Sequence, residues 1–241
     1  MISILTKLES ATSTNDVLRK MVEEGADDGR AVYTTEQTSG RGRRGRVWVC
    51  PPGTSLALSV AVVGPQHQPY TSQMPLAAGA AVAELIRSET SLTPQLKWPN
   101  DVLISGKKVA GILCEGVHGA GRLRGVLIGV GLNINVPPDG FPEELRPIAT
   151  SLLAESGNTY EIGALAQALH AAILDRVTLL SADRGALLDL WREHDVTTGR
   201  AVKIGEVTGT AVGINAEGAL LVETPNGTQT IRSGEIEWVA E

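Results

Sequence analysis

Positive charge is concentrated at one point of this chain, in a segment where glycines alternate with arginines. Residues 40–46 read GRGRRGR, so Arg41, Arg43, Arg44 and Arg46 supply four of the 21 basic residues within six positions. Glycine lets the backbone wrap closely around a ligand, and the planar guanidinium matches phosphates and carboxylates. A solvated basic loop or an RNA-binding tract would show the same composition. Because the whole chain has a net charge of −6, the cluster favours a small anionic ligand over a long polyanion.

A second polar segment, residues 97–101, reads KWPND, and Lys108 follows it in the sequence KVAG. Pro99 cannot donate to a sheet ladder, so a strand must bend there. The bend leaves Asn100 and Asp101 at a strand edge, where ligand and metal contacts are common. A turn closed by an Asx hydrogen bond would explain the same residues, and this segment alone does not decide between the two.

A third segment, residues 126–135, reads VLIGVGLNIN and alternates as a strand does. One face carries only branched aliphatic side chains, whereas the other carries Leu127, Gly129, Gly131, Asn133 and Asn135. Glycine within a strand costs stability and often marks the close approach of a ligand or another backbone. The pattern predicts the floor of a slot for a flat ring, with amides at its mouth. Close packing of a helix on that face is the alternative.

Helices and strands with ordinary signals must position these segments. Apolar residues at helical spacing predict a helix from Ser13 to just before Gly25, with Ser13 and Asp16 forming a capping box. Further helices are predicted over residues 75–87, 160–180 and 186–194. Strands are predicted over residues 31–35, 55–63, 95–98, 102–104, 108–115 and 122–135, and residues 136–158, with four prolines, are predicted to be mostly loop. Because the strands are not regularly interleaved with helices, the fold class is α+β.

The C-terminal part of the chain changes to period two after residue 199. Short strands are predicted over residues 202–204, 208–214, 219–223 and 228–231. Asn226-Gly227 is a hairpin signal, because both central residues of such a turn need positive φ. We therefore divide the chain into a domain over residues 1–195 and a small β-barrel-like domain over residues 196–241.

Composition narrows the class of protein further. The chain has 241 residues, 42% of them hydrophobic and 20% charged, which is ordinary for a soluble globular protein. No uninterrupted apolar run is long enough to cross a bilayer, and the N-terminus lacks the regions of a secretory signal. We expect a cytoplasmic protein that binds neither DNA nor membrane. Cys50 and Cys114 have no metal-ligand spacing and are interpreted as buried apolar residues.

Taken in order, these motifs resemble those of the biotin–protein ligases. The set comprises Ser-Thr-Asn at residues 13–15, GRGRRGR with a nearby Trp48, KWPND followed by KVAGIL, and the GVGLN strand. The resemblance covers residues 1 to about 195. The C-terminal module resembles the family's SH3-like β-barrel only in size, position and strand pattern. The implied fold is a mixed or antiparallel sheet with flanking helices, related to class II synthetases.

The resemblance implies a two-step reaction with ATP and Mg²⁺ and no tightly bound prosthetic group. Biotin is first activated to biotinyl-5′-AMP and then transferred to a lysine of a biotin carboxyl carrier domain of an acyl-CoA or pyruvate carboxylase. Family members occur as monomers and as dimers, and the sequence leaves a homodimer open. Only twelve residues precede Ser13, so we expect no DNA-binding domain and no repressor function.

Site residues follow from the resemblance position by position. Lys108, Arg43, Asp101 and Asn100 are the expected catalytic residues, with Lys108 bridging the biotin carboxylate and the phosphate and Asp101 as the Mg²⁺ ligand. The expected biotin-binding residues are Ser13, Thr14, Asn15, Gln37, Arg41, Gly42, Arg43, Lys108, Gly111, Gly129 and Gly131. The expected adenylate-binding residues are Arg43, Arg46, Trp48, Asn100, Lys108 and Asn133, with Trp48 packing against the adenine.

Three rival functions remain at this point. A lipoate–protein ligase would share the fold and the adenylation chemistry but is expected to carry a different Arg/Gly motif. A biotin sensor without catalysis would need the slot but not Asn100, Asp101, Arg43 and Lys108, all of which are present. An RNA-binding protein would need a basic face or aromatic platforms, whereas this chain has only 3% aromatic residues.

Overall fold

The computed structural model describes residues 4–239 and contains two β-sheets with helices around the larger one. The strands of the larger sheet are β1 (Leu5–Lys7), β2 (Ala31–Thr34), β3 (Ser55–Val63), β4 (Gln95–Lys97), β5 (Asp101–Ile104), β6 (Lys107–Gly119) and β7 (Arg122–Asn133). The helices are α1 (Thr14–Glu23), α2 (Met74–Glu89), α3 (Leu152–Ser156), α4 (Ile162–Ala182) and α5 (Arg184–Arg192). The smaller sheet contains β8 (Ala201–Ile204), β9 (Val207–Ile214), β10 (Leu220–Thr224), β11 (Gly227–Ile231) and β12 (Glu237–Trp238).

The larger sheet has the order β1-β2-β3-β7-β6-β5-β4, with β1 parallel to β2 and the other neighbours antiparallel. Its register creates one row of facing residues across five strands. Ala57 pairs with Gly131, Gly131 with Gly111, Gly111 with Asp101, and Asp101 with Lys97. Directly paired residues lie on the same face of a sheet. The register therefore places two glycines and two charged residues side by side.

The two faces of this sheet are covered differently. Large side chains of β3 and β7, such as Leu58 and Ile128, belong to the main core together with residues of α2, α4 and α5. On the opposite face, Leu18 and Val22 of α1 pack against Leu127 in a smaller core. Beyond α1, this second face carries mainly small residues, and it is the face of the glycine row.

Helix α4 is, by length and composition alone, long and apolar enough to cross a membrane. Its sequence includes Gln167, His170 and Asp175, so it is not an uninterrupted apolar run of the kind considered in the sequence analysis. Within the described residues, however, Leu165, Leu169, Ile173, Val177 and Leu180 are buried at helical spacing. Together with its contacts to α2 and β3, this stripe is typical of a core helix.

Most of the predicted helices and strands are confirmed, with local corrections. The Ser13 side chain makes no capping hydrogen bond, and the Asp16 carboxylate, expected to complete the capping box, binds Arg41. The predicted loop at residues 136–158 contains α3, which is capped by Ser151 and ends at the left-handed Gly157.

The smaller sheet is antiparallel, in the order β11-β10-β9-β8-β12. The predicted hairpin between β10 and β11 is confirmed, but Thr224 pairs with Gly227. Its central residues are therefore Pro225 and Asn226, and only Gly227 has positive φ. Strand β12 has no signal in the sequence, because it is only two residues long.

The smaller sheet packs directly against the larger part of the molecule. The indole Nε1 of Trp98 donates to the Gly218 carbonyl at 3.0 Å, and the Trp98 backbone N–H donates to Thr197 Oγ1 at 2.9 Å. Residues of the smaller sheet, including Val202 and Leu220, belong to the main hydrophobic core. The predicted α+β class with a C-terminal β module is confirmed, whereas the boundary at residue 195 stays a prediction.

Candidate active site

A cleft of about 500 Å³, its open mouth included, lies on the α1 face of the larger sheet. It brings together most of the predicted site residues from four separate stretches of the chain. The lining residues are Ser13, Thr14, Asn15, Gln37, Arg41, Gly42, Arg43, Trp48, Ala57, Asn100, Lys108, Gly111, Ile112, Leu113, Gly129, Val130 and Gly131.

The floor of the cleft is the glycine row, and two side chains lie directly on it. A Cβ at Gly131 would overlap the indole ring of Trp48, and a Cβ at Gly129 would lie 2.7 Å from Asn15 Oδ1. Gly111 is also close to Trp48, at 3.1 Å for a Cβ placed there. Helix α1 therefore packs over Gly129, as the alternative interpretation of this strand expects, whereas Trp48 lies over Gly131. The slot for a flat ring stays a prediction.

One end of the cleft is a network of uncharged polar side chains at the start of α1. Gln37 Oε1 accepts from the backbone N–H of Thr14 at 2.9 Å. Ser59 Oγ lies 2.8 Å from Thr14 Oγ1 and 2.6 Å from Asn15 Oδ1. The Asn15 amide in turn donates to Glu115 Oε2 at 2.7 Å. This end is suited to a ligand that both donates and accepts hydrogen bonds.

Ser59 belongs to this network and Glu115 is its charged partner outside the cleft lining; the sequence analysis missed both. Ser59 could have been found, because Ser55, Ala57 and Ser59 are small residues that alternate with Leu56, Leu58 and Val60 along β3. That alternation marks a strand with one filled and one open face. Glu115 has no local signal, since its partners come from α1 and from the loop of residues 40–46, which we call the Gly/Arg loop.

Arg41 is bound on two sides by carboxylates. Its guanidinium donates to both oxygens of Asp16, at 2.5 and 2.8 Å, and to Glu115 Oε2 at 3.0 Å. The hydrogen bond from Arg41 lowers the pKa of the Asp16 carboxyl group, and the same contact raises the pKa of Arg41. The charge of Arg41 is therefore already matched within the protein. Its position ties the Gly/Arg loop to α1 and β6.

Arg43 contrasts with Arg41, because no carboxylate lies within 4.0 Å of it among residues 4–239. Its Nη1 donates to Asn100 Oδ1 at 2.9 Å, and the Asn100 amide donates to the Ile112 carbonyl at 2.9 Å. Burial lowers the pKa of the Arg43 guanidinium. Asn100 thus orients a partly buried cation whose charge is available to an anionic ligand.

Lys108 lies beside Arg43 at the same end of the cleft. Its Nζ is 2.5 Å from Asp101 Oδ1 and 5.6 Å from the centre of the Trp48 ring. The backbone of Lys108 is fixed by hydrogen bonds with Ile148 and Thr150. Lys108 and Arg43 therefore place two cations in the cleft.

Three predicted site residues lie outside the cleft. Asp101 lies behind Lys108 and touches it. Arg46 is exposed and forms an ion pair with Glu235, next to β12. Asn133 is buried, and its Nδ2 donates to the Thr150 carbonyl at 3.0 Å while its Oδ1 has no partner within the described residues. Their predicted roles in binding the nucleotide or Mg²⁺ stay predictions.

With this geometry established, comparison with known proteins identifies the family. Residues 8–133 match the biotin/lipoate A/B protein ligase family, and residues 197–238 match the biotin protein ligase C terminal domain. The chain belongs to this family.

Individual relatives agree with this assignment. The chain is 32% identical to a biotin--[acetyl-CoA-carboxylase] ligase of Paracoccus denitrificans, over 95% of this chain and 98% of that one. It is 33% identical to the ligase of the same name from Mycobacterium tuberculosis, over 93% of this chain and 85% of that one. The biotin protein ligase from Aquifex aeolicus in complex with biotin and ATP superposes with a TM-score of 0.83, at 29% identity and 98% coverage of this chain and 99% of that one.

As a member of the biotin/lipoate ligase family, the chain combines an uncharged polar end and a cationic end in one cleft. The polar end is formed around Thr14, Asn15 and Gln37, and the cationic end around Arg43 and Lys108. A ligand with a neutral polar ring and a carboxylate tail fits such a cleft. Trp48 covers the floor between the two ends.

Proposed function

We propose that this chain is a biotin–protein ligase, which converts biotin and ATP to biotinyl-5′-AMP and transfers biotin to a lysine of a carrier protein. The observation that carries this conclusion is the meeting of Lys108, Arg43 and Trp48 over the Gly111–Gly131 floor, opposite an uncharged polar end. Relatives named as biotin ligases, one of them solved with biotin and ATP, support the same reaction.

The uncharged polar end is the proposed site of the biotin ring. A ureido ring presents one carbonyl and two N–H groups, so it needs donors and acceptors together. Thr14, Asn15 and Ser59 already form a chain of short hydrogen bonds there. Because Gly129 has no side chain, Asn15 can lie directly on the sheet. A flat ring can then pack beside it without a gap.

The cationic end is the proposed site of adenylation. A carboxylate oxygen of biotin attacks the α-phosphorus of ATP, the bond from this phosphorus to the bridging oxygen breaks, and pyrophosphate leaves. Both reactants are anions, so positive charge must be in place before they meet. In this proposal Lys108 contacts the carboxylate and the α-phosphate together. The hydrogen bond from Arg43 to Asn100 supports Arg43 as the second cation of this site.

Asp101 is a positioning residue for Lys108 in this proposal. Its carboxylate holds the Lys108 ammonium over the floor of the cleft, with Oδ1 at 2.5 Å from Nζ. When the phosphate arrives, Lys108 has further donors to offer, since an ammonium carries three. Trp48 supplies an aromatic face against which the adenine packs.

The second step of the proposal is attack by the amine of a carrier lysine on the carbonyl carbon of the mixed anhydride. The amide bond forms, AMP leaves, and the amine loses a proton. We propose the biotin carboxyl carrier domain of an acyl-CoA or pyruvate carboxylase as the carrier. We also propose that the enzyme acts in the cytoplasm. The sequence leaves a homodimer open, and sedimentation velocity of the purified protein measures its oligomeric state.

Mg²⁺ fits this site only as an ion shared with ATP. Within residues 4–239 there is no group of three or more His, Cys, Asp or Glu side chains that could hold a metal ion. Mg²⁺ is commonly bound through one or two carboxylates together with substrate phosphates. Asp101 is the residue that would hold it here, and the ion would neutralise phosphate charge. Arg43 and Lys108 remain the protein's own contribution.

Biotin-dependent exchange of labelled pyrophosphate into ATP tests the proposal, with lipoate as a parallel substrate and Mg²⁺ present. We expect exchange with biotin and none with lipoate. Exchange with lipoate alone would retain the chemistry but contradict the substrate. Tight binding of biotin without exchange would indicate a sensor, and failure to bind biotin would overturn the proposal.

A further inference from the structure

Lys97 is a charged residue next to the candidate site that the proposed reaction has not used. It ends the row of facing residues that runs Ala57–Gly131–Gly111–Asp101–Lys97 across the sheet. The residue directly opposite it is Asp101, which contacts Lys108. Lys97 is therefore on the same sheet face as the floor of the cleft, one strand further out than Asp101.

The surroundings of Lys97 are unusual for a half-buried cation. Its Nζ donates to the Ile236 carbonyl at 3.0 Å and lies 4.5 Å from the centre of the Trp238 ring. No carboxylate lies within 4.0 Å of it among the described residues. Burial lowers the pKa of the ammonium group. Buried charges are normally paired with an opposite charge. Lys97 lacks such a partner in the part of the chain that the structure describes, so its positive charge is available to an anionic ligand.

The contacts to Lys97 come from the C-terminal module. Trp238 lies between two cations, since Arg200 is 4.8 Å from the centre of its ring while Lys97 is 4.5 Å away. A carbonyl oxygen and an aromatic face can orient an ammonium without neutralising it. The module thus holds Lys97 in one position and leaves its charge free for a ligand.

The direction of the row indicates which part of the ligand would meet this charge. If Lys108 and Arg43 receive the carboxylate and the α-phosphate, the remaining phosphates of ATP extend away from the biotin end, past Asp101. Lys97 is the next cation in that direction.

We propose that Lys97 binds the β- and γ-phosphates of ATP and stabilises the pyrophosphate as it leaves, with Ile236 and Trp238 as its positioning residues. This inference rests on the proposed function. As the bond between the α-phosphorus and the bridging oxygen breaks, negative charge develops on the departing pyrophosphate. Lys97 is a fixed cation where that charge appears. The C-terminal module then contributes to the reaction by positioning Lys97 through Ile236 and Trp238.

The two half-reactions separate this role from a structural one, because pyrophosphate takes part only in the first. We expect Lys97→Met to lower kcat/KM for ATP in pyrophosphate exchange by about tenfold to a hundredfold. Transfer from preformed biotinyl-5′-AMP to a carrier domain should stay within about twofold of the unmodified enzyme. Trp238→Leu should act in the same direction and more weakly. Lys107→Met, at an exposed lysine near by, is the control and should change neither step.

An equal fall in both half-reactions would overturn the proposal, and so would an unchanged exchange rate. If the unmodified enzyme itself shows no biotin-dependent exchange, the proposed function fails instead. A second measurement needs no variant. Acetic anhydride labelling of the unmodified protein, read by mass spectrometry, should show that pyrophosphate protects Lys97 but not Lys107. Equal labelling of Lys97 with and without pyrophosphate would contradict the assignment.

Discussion

Gly131 lies directly beneath the indole ring of Trp48, closer than any other residue type at that position would allow. The three atoms nearest to a Cβ placed on Gly131 all belong to this ring. The indole Nε1 is buried and has no hydrogen-bond partner within the described residues. Since buried N–H groups are normally paired, the position of Trp48 is explained by its relation to the cleft rather than by its own hydrogen bonding.

Replacing Gly131 with alanine should therefore displace Trp48 and weaken ATP binding. The added methyl group overlaps the ring, so the indole has to leave its place on the floor. We expect KM for ATP to rise by about 5- to 150-fold, since a lost aromatic stacking contact is worth roughly 1–3 kcal/mol. Steady-state kinetics with saturating biotin measure the change.

Gly116→Ala is the matched control for that substitution. It is also a glycine of the sheet, but a Cβ there would meet the ends of the movable His118 and Leu123 side chains at 3.0 and 3.1 Å. We expect kinetics like those of the unmodified enzyme. A Gly131→Ala enzyme with the same KM for ATP as this control would show that Trp48 does not contact the nucleotide.

Removing the charge of Lys108 should affect adenylation more than any change to its partner Asp101. Lys108→Gln removes a cation from the reacting groups, and we expect adenylation to fall by about 10²–10³. Asp101→Asn leaves the cation in place. It loses the contact that orients Lys108 and one carboxylate ligand of the Mg²⁺ that ATP phosphates also bind, so its fall should be smaller. Rapid-quench measurement of biotinyl-5′-AMP in one turnover compares the two. A larger loss in Asp101→Asn would reverse the roles assigned here.

The arrangement of the larger sheet could be predicted in part from the sequence. Alternation in residues 126–135 correctly assigns Gly129, Gly131 and Asn133 to one face, because a strand has period two. The turns at Ser105-Gly106 and Ala120-Gly121 follow from residues that adopt positive φ. Strand order could not be predicted in full, since β6 and β7 form a local hairpin but β7 lies beside β3 only through pairing of distant segments. Turn chemistry says nothing about that pairing.

Some residues of the candidate site could be predicted from the sequence, and others could not. Residues within motifs, such as Arg43, Asn100 and Lys108, could be found because the motif itself carries them. Asp16 and Glu115 could not, because their role depends on Arg41 reaching α1 and β6 across the fold. Arg46 was assigned to the nucleotide by its place in the motif, yet its neighbour is Glu235 of the C-terminal module. Long-range ion pairs leave no local pattern.

The ion pair between Asp16 and Arg41 should give stability that depends on pH. Arg41 lowers the pKa of Asp16 below its usual value of 3.8. A lowered carboxyl pKa stabilises the folded protein above the unfolded pKa, and this contribution is lost as pH falls through the folded pKa. Both side chains are about two-fifths exposed, at 41% and 39%, so the pair is worth at most about 1 kcal/mol.

Urea unfolding of the unmodified protein and of Asp16→Asn at two pH values measures this contribution. We expect Asp16→Asn to be less stable at neutral pH by up to about 1 kcal/mol. The difference should shrink in acid, as pH falls through the lowered pKa of Asp16. Glu217→Gln, at an exposed turn residue, should show no such difference. A stability gap that persists in acid would mean that Asp16 acts through something other than its charge.

The Gly/Arg loop should close further when the adenylate is bound. Its two ends are held differently: Arg41 is bound by Asp16 and Glu115, whereas Arg46 is exposed and contacts only Glu235 among the described acidic residues. An exposed ion pair contributes little to stability, so this end can open for ATP to enter. Once biotinyl-5′-AMP fills the cleft, Arg43 gains an anionic partner and water is excluded from the mixed anhydride.

Limited trypsin digestion should therefore cut at residues 43–46 more slowly with biotinyl-5′-AMP than without it. Glu235→Gln should be cut faster than the unmodified protein in the free state, and equally slowly once the adenylate is bound. Cleavage that is the same with and without biotinyl-5′-AMP would mean that the loop does not close over the intermediate.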